Sequence, residues 1–338
     1  MQIKGMEEMK MKSIEPFNKV WLDCYNNLKL SLLISMNPKY ETRGYENIYE
    51  YDCIEQNAGS GQIVNCITEE QFYIDYEEFA QMEKLNPDSE REFLEIVINQ
   101  IKKKNGFVLM RTDLYDWLEG SVCWHNYHWD HYSLLVDYDE DNDMIIAFDE
   151  AGGQYKRLQV RRGDLYNHLS DNLNFEKIRL ITVNDSPMLH PVSLQRLVNN
   201  AEKIVKSIEK CINKDFWYMQ TSDYEDFWYK DLNGVYLQKI EGRQKANALL
   251  MEELSCIDIG VVNKLFDRWK SIFEDLSNEW ATIRMALFLI YRKRKNRTEK
   301  LAEINEKVQS CLLSEKKVWE EFISNMRKAV DLEINVIY

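Results

Sequence analysis

Two apolar runs, Leu134–Val136 and Met144–Phe148, flank the acidic stretch Asp139–Asp143. That spacing predicts a β-hairpin over residues 131–150. With Asp139–Asp143 as the loop, Tyr138 pairs with Met144, His131 falls opposite Ala151 and Asp149 falls opposite Ser133. His131 and Asp149 are then diagonal neighbours on one face of the hairpin. A slip of one residue would put them on opposite faces.

Helical periods bracket this hairpin. In residues 16–36, Leu28, Leu32 and Met36 follow Cys24 at four-residue steps. Asp23 is placed to cap that helix, and Pro38 forbids its continuation. Residues 89–104 form a second helix. Ser89 and Glu92 make a capping box, Phe93, Val97 and Ile101 a stripe, and Gly106 ends it. Short strands are expected at 45–75, around Gly59 and Gly61, and at 107–112, 155–160 and 178–183. A short helix is expected within 162–173.

Beyond Pro187 and Pro191 the pattern is helical almost throughout. Leu194, Leu197, Ala201, Ile204 and Ile208 form one stripe. Further helices are expected at 236–255, at 261–295 with a break, and at 298–333. The expected fold is α+β, a helix packed on an antiparallel sheet, followed by an all-α domain. The expected domains are 1–186 and 187–338. The tetrapeptide DFWY occurs at 215–218 and again at 226–229, an offset near three helical turns.

Composition narrows the setting more than the function. At 338 residues the chain is long enough for two cores, and 45% hydrophobic with 30% charged residues is a globular balance. A formal net charge of -14 argues against nucleic acid and anionic membranes as partners. The opening MQIKGMEEMKMK has no apolar signal core, and no stretch is apolar enough to span a bilayer. Seven widely spaced cysteines without a CxxC suggest reduced thiols in a cytoplasmic protein.

The candidate chemistry lies where the helix and hairpin patterns meet. A histidine oriented by a carboxylate is two thirds of a nucleophilic triad. Cys24, in the first turn of its helix, feels the positive end of the helix dipole, which favours the reactive thiolate. A cysteine at a helix start, with histidine and aspartate on a later antiparallel hairpin, is the papain-like arrangement. His131 would move the thiol proton, Asp149 would hold the imidazole, and Asn18 would donate to an oxyanion. Cys53, Cys66 and Cys123 are the competing thiols. Cys211, Cys256 and Cys311 read as packing residues on helices.

Trp124, Tyr127 and Trp129 read as a substrate wall or lid. The cluster Cys123, His125, His128, Asp130 and His131 has zinc-ligand types, but its spacing matches no common zinc motif, so no metal is expected. The run Arg292, Lys293, Arg294, Lys295 and Arg297 reads either as a solvated helix end or as a docking patch for an acidic partner.

The segment GFVLMRTDLYDW, followed by HYSLLVDYD and IIAFDE, resembles the N-terminal domain of the butirosin biosynthesis protein H family. It is more distantly similar to bacteriocin-processing cysteine peptidases, which have glycine where Asp137 stands here. The resemblance covers roughly residues 15–185 and implies a papain-like fold with an appended helical part. It implies a cysteine-dependent acyltransferase of antibiotic or nonribosomal-peptide biosynthesis. Such an enzyme moves an acyl, aminoacyl or peptidyl group from a carrier-protein thioester to an amine. No bound cofactor is then needed, because phosphopantetheine arrives on the acyl carrier protein. A cysteine hydrolase with the same triad (peptidase, amidase or thioesterase) and a non-catalytic binding protein on this fold are the rival readings.

Overall fold

The computed structural model describes residues 14, 16–46, 49–58, 61–70, 79–117, 123–151, 154–168, 178–184, 194–214, 227–256, 262–292 and 297–330. The fold is mixed α and β, with an antiparallel sheet followed by a helical region. The chain forms two compact units. The first holds residues up to Asn18, Asp23–Pro38 and Ile74–Met188; the second holds Lys19–Leu22, Lys39–Tyr73 and Leu189–Tyr338.

The first unit is built on six antiparallel strands. β3 is Ala80–Lys84, β4 Gly106–Asp113, β5 Asp130–Asp139, β6 Met144–Ala151, β7 Gln154–Arg161 and β8 Arg179–Val183. Their order is β3-β8-β4-β5-β6-β7. Three helices accompany them: α1 (Cys24–Met36), α2 (Glu90–Ile101) and the single turn α3 (Leu114–Trp117). Val108, Met110, Leu135, Ile145 and Ala147 pack against Phe93, Val97 and Ile101 of α2.

Local chemistry sets the helix ends. Ser89 caps α2 by accepting from Glu92 N, while the Glu92 carboxylate reaches back to Asp88 N at 2.7 Å. Gly106 is required beyond the helix end, because a Cβ there would lie 2.0 Å from the Gln100 carbonyl oxygen. Within the segment 16–36, α1 itself starts at Cys24, where the expected Asp23 cap puts it. Asp23 is its cap and accepts from Asn26 N at 2.8 Å. The helix is buried on every side from Asn26 to Ile34, polar Asn27, Lys29 and Ser31 included. It is therefore a central helix rather than an amphipathic cover. Ser31 supports this by taking the Phe17 N–H at 2.9 Å.

The hairpin differs from the expected one in two compensating ways. Tyr138 pairs with Ile145 and Asp139 with Met144, so the loop is one residue shorter. Asp139 accepts from the amides of Asp141 and Asn142, which closes the turn tightly. A β-bulge between Leu135 and Asp137 then adds one residue back, and Leu134 pairs with Phe148. Continuing that register puts Asp149 opposite Ser133, as the apolar pattern predicts.

In the second unit, β1 (Tyr49–Ala58) and β2 (Gly61–Glu70) form a hairpin, and α4 (Leu194–Cys211) packs on β1. Long helices α5 (Phe227–Ser255), α6 (Asn263–Arg292) and α7 (Arg297–Val330) complete it. The unit is therefore not all-α, and residues 39–73 belong to it rather than to the sheet unit. The reason is a long-range polar anchor. The buried Glu315 carboxylate of α7 accepts from Tyr49 Oη (2.5 Å) and Tyr51 Oη (2.6 Å) of β1, and from Gln244 Nε2 (2.8 Å) of α5. α6 runs without the expected break. The DFWY aromatics and the side chains of Arg292, Lys293, Arg294, Lys295 and Arg297 lie outside the described residues.

Candidate active site

Three elements of the first unit bring the expected triad together. Cys24 is the first residue of α1 and half-buried. His131 follows the first residue of β5, lies opposite Thr112 of β4 and is 7% exposed. Asp149, on β6, is completely buried. The imidazole Nε2 is 2.7 Å from Asp149 Oδ1. Cys24 lies near enough to the imidazole to help raise its pKa. With Nε2 engaged by Asp149, Nδ1 is the nitrogen left for the sulfur.

The bulge makes this geometry possible. If the pairing at the turn continued unbroken, Asp149 would face Leu134 and point away from the histidine. One extra residue corrects the parity. Val136 accommodates it and is fully buried.

The electrostatics favour the charged imidazole. Burial alone would lower the His131 pKa. The charge and hydrogen bond of Asp149, with the hydrogen bond and charge of Cys24, outweigh it and push the imidazole up to about 10. His131 is therefore an imidazolium at neutral pH. Glu150, beside Asp149, is raised mainly by burial and partly by Asp149, against the lowering effect of His131.

Asp149 has two further donors. Glu150 N gives to Oδ1 at 2.6 Å, and the Trp117 indole Nε1 gives to Oδ2 at 2.8 Å. Trp117, buried on α3, is a positioning residue that the sequence reading passes over. Nothing in the spacing between Trp117 and Asp149 signals the contact. Tyr155 is a second omission, and it was legible. Glu150 pairs with Tyr155 across the hairpin that closes with Ala151 against Gln154. A two-residue turn at Gly152-Gly153 implies that register.

The other expected residues fall differently. Asn18 lies at an exposed position before α1. Trp124 stacks on His125 at 4.5 Å, Tyr127 is half-buried and Trp129 is 46% exposed. Their loop is ordered by Asp113, which accepts from Trp129 N at 3.0 Å and meets His128 Nδ1 at 2.6 Å. The cluster considered for zinc is dispersed: His128 turns to Asp113, His125 to Asp116, Asp130 to Arg111 and His131 to Asp149. Among the described residues no group of three or more His, Cys, Asp or Glu is arranged to hold a metal.

The competing thiols have other surroundings. Cys123 is buried, and burial with the nearby Asp113 charge raises its pKa. The Cys53 sulfur lies 3.0 Å from that of Cys211 in the second unit. The Cys66 side chain is outside the described residues. Cys311 is pushed up to about 12, chiefly by burial, whereas Cys256 is exposed rather than packed.

No family model matches the chain, and no curated protein matches it either.

Proposed function

We propose that the chain is a cysteine-dependent acyltransferase on a papain-like fold. Cys24 is its nucleophile, His131 its proton carrier and Asp149 its orienting carboxylate. The observation that carries the reading is the buried His131–Asp149 contact at 2.7 Å, with the Cys24 thiol at the start of a buried helix near enough to help raise the pKa of the same imidazole. A metal-free nucleophilic site needs those three parts in that order.

The reaction is ping-pong. Cys24 attacks an acyl thioester, and His131 protonates the departing thiol. An amine then attacks the acyl-enzyme, gives its proton to His131 and displaces Cys24. The thioester comes on the phosphopantetheine arm of an acyl or peptidyl carrier protein, as the family resemblance implies. Arg292, Lys293, Arg294, Lys295 and Arg297 are the chain's densest basic run and its proposed landing site for that acidic partner. Asn18 and the Trp124–Tyr127–Trp129 loop keep their proposed parts in oxyanion contact and substrate cover. The expected setting is the cytoplasm, within antibiotic or nonribosomal-peptide biosynthesis.

The test is a covalent map. The protein is incubated with a panel of aminoacyl and acyl thioesters of pantetheine and of carrier protein, and adducts are located by mass spectrometry. Cys24 should carry the acyl group, and Cys24→Ala should abolish it. Adding amines should yield amides. Free acid as the sole product would make the protein a hydrolase of the same mechanism. Labels on Cys53, Cys66 or Cys123 with an inert Cys24 would sink the triad.

A further inference from the structure

The Tyr155 hydroxyl is a buried donor with no acceptor among the described residues. Tyr155 sits on β7 opposite Glu150 and is 9% exposed. Its ring stacks on Phe148 with centroids 5.4 Å apart. The ring is thus fixed by packing, but Oη has no hydrogen-bond partner among the described residues. An unpartnered buried hydroxyl destabilises a fold, and phenylalanine would fill the same space without that cost. A tyrosine kept at such a place needs a reason beyond packing.

Its surroundings supply one. Burial holds the phenol well above its usual range, so it stays an O–H donor. The charges that add to this effect are, in order, those of Cys24, Asp149, Glu150 and Asp23. The geometry agrees: continuing the hairpin register puts Tyr132 opposite Glu150 and so on one face with Tyr155, and Tyr25, the residue after Cys24, packs on Tyr132 with ring centroids 5.1 Å apart. The Tyr155 hydroxyl is a dry, preorganised donor beside a sulfur whose reaction generates an anionic oxygen. Asn18, the donor proposed above for the same oxygen, is exposed, which leaves room for a second, dry donor.

We infer that Tyr155 is an oxyanion donor: its hydroxyl hydrogen-bonds the carbonyl oxygen of the acyl group while Cys24 attacks it. The inference rests on the acyl-transfer reading of Cys24, His131 and Asp149. As the Cys24 S–C bond forms, the carbonyl π pair moves onto oxygen and the Tyr155 O–H bonds that oxyanion without giving up its proton. When the carbonyl re-forms, the bond to the leaving thiol breaks, and His131 supplies the proton that thiol carries away. The same donor serves the second half, when the amine attacks and Cys24 leaves.

The test compares two reactions of one sulfur in Tyr155→Phe. Acylation by p-nitrophenyl acetate passes through an oxyanion and releases p-nitrophenolate. Alkylation by iodoacetamide is a direct displacement at carbon and has no oxyanion. Acylation of Cys24 should fall about 10²-fold, the scale for losing one oxyanion donor. Alkylation should keep the wild-type rate, and the melting temperature should hold or rise. Unchanged acylation, an equal fall in both reactions, or a lowered melting temperature would each overturn the assignment. A wild-type protein that alkylates at Cys24 but is never acylated there would overturn the acyl-transfer reading itself, and the inference with it.

Discussion

Replacing Asp149 by asparagine tests the electrostatic core of the site with little change in volume. His131 is held at about 10 by the Asp149 charge and by hydrogen bonds, against burial that works the other way. At pH 7 the imidazolium then outnumbers the neutral ring by about a thousandfold. Without the carboxylate charge only Cys24 still opposes burial, and a ring returned to its ordinary 6.5 is about a quarter protonated at pH 7. Loss of the proton donor alone then slows thiol departure about fourfold, and looser orientation should bring the total to roughly 10–10²-fold. His131→Ala should cost more, at least ~10²-fold, because no base remains. Asparagine also has one acceptor where Asp149 meets His131, Glu150 N and the Trp117 indole, a mismatch worth about 1–3 kcal/mol of stability. Rates should therefore be compared well below both melting temperatures. Imidazole nitrogen NMR reads the His131 titration directly, and stopped-flow thioester acylation reads the consequence. The stability sign is also fixed. A raised folded pKa contributes stability that is complete below 6.5 and is lost as pH rises through about 10. The wild type should lose stability over that window, and Asp149→Asn should not show this loss. A variant whose His131 still titrates near 10 would refute the account, whatever its activity.

Two other substitutions test the supporting structure. Trp117→Phe keeps an aromatic ring, a smaller one, and removes the indole donor to Asp149 Oδ2; acylation should fall roughly tenfold, as for other partners that orient a functional group. If acylation is unchanged while the melting temperature drops, Trp117 serves packing alone. In the second unit, burial raises the pKa of Glu315 despite hydrogen bonds from Tyr49, Tyr51, Trp319 and Gln244. A carboxyl with a raised folded pKa binds its proton more readily folded than unfolded, so its contribution to stability grows as pH falls from 7 toward 4.5. Glu315→Gln should abolish that share of the acid stabilisation in thermal melts, and identical pH dependence in both proteins would show that Glu315 does not titrate in this range.

What the sequence revealed follows from how far apart the cooperating residues lie. His131 and Asp149 sit on one hairpin, so apolar alternation and a turn suffice to bring them together. The run Leu134–Leu135–Val136 is apolar without alternation because it contains the bulge, and all three residues are fully buried. Periodicity alone does not say which residue is extra. Nor does it say that Asp139 joins the strand by bonding the turn amides. The two differences cancel at Asp149, so the His131–Asp149 pairing was legible although the path to it was not. β3 went unseen because this edge strand has little apolar alternation: only Ala80 is fully buried. Trp117 reaches Asp149 from a single helical turn with no periodic tie to it. The β1–β2 hairpin joins the helical unit through tyrosine hydroxyls that meet a carboxylate more than 260 residues away. Local pattern cannot encode a contact whose partner belongs to another pattern. Tyr155 is the instructive middle case. Its strand and register were readable from the Gly152-Gly153 dipeptide in the sequence, whereas its significance lies in a hydrogen bond that no described residue makes. Patterns of polarity report which groups the fold satisfies; a group left unsatisfied beside a nucleophile becomes visible only once every other partner has been placed.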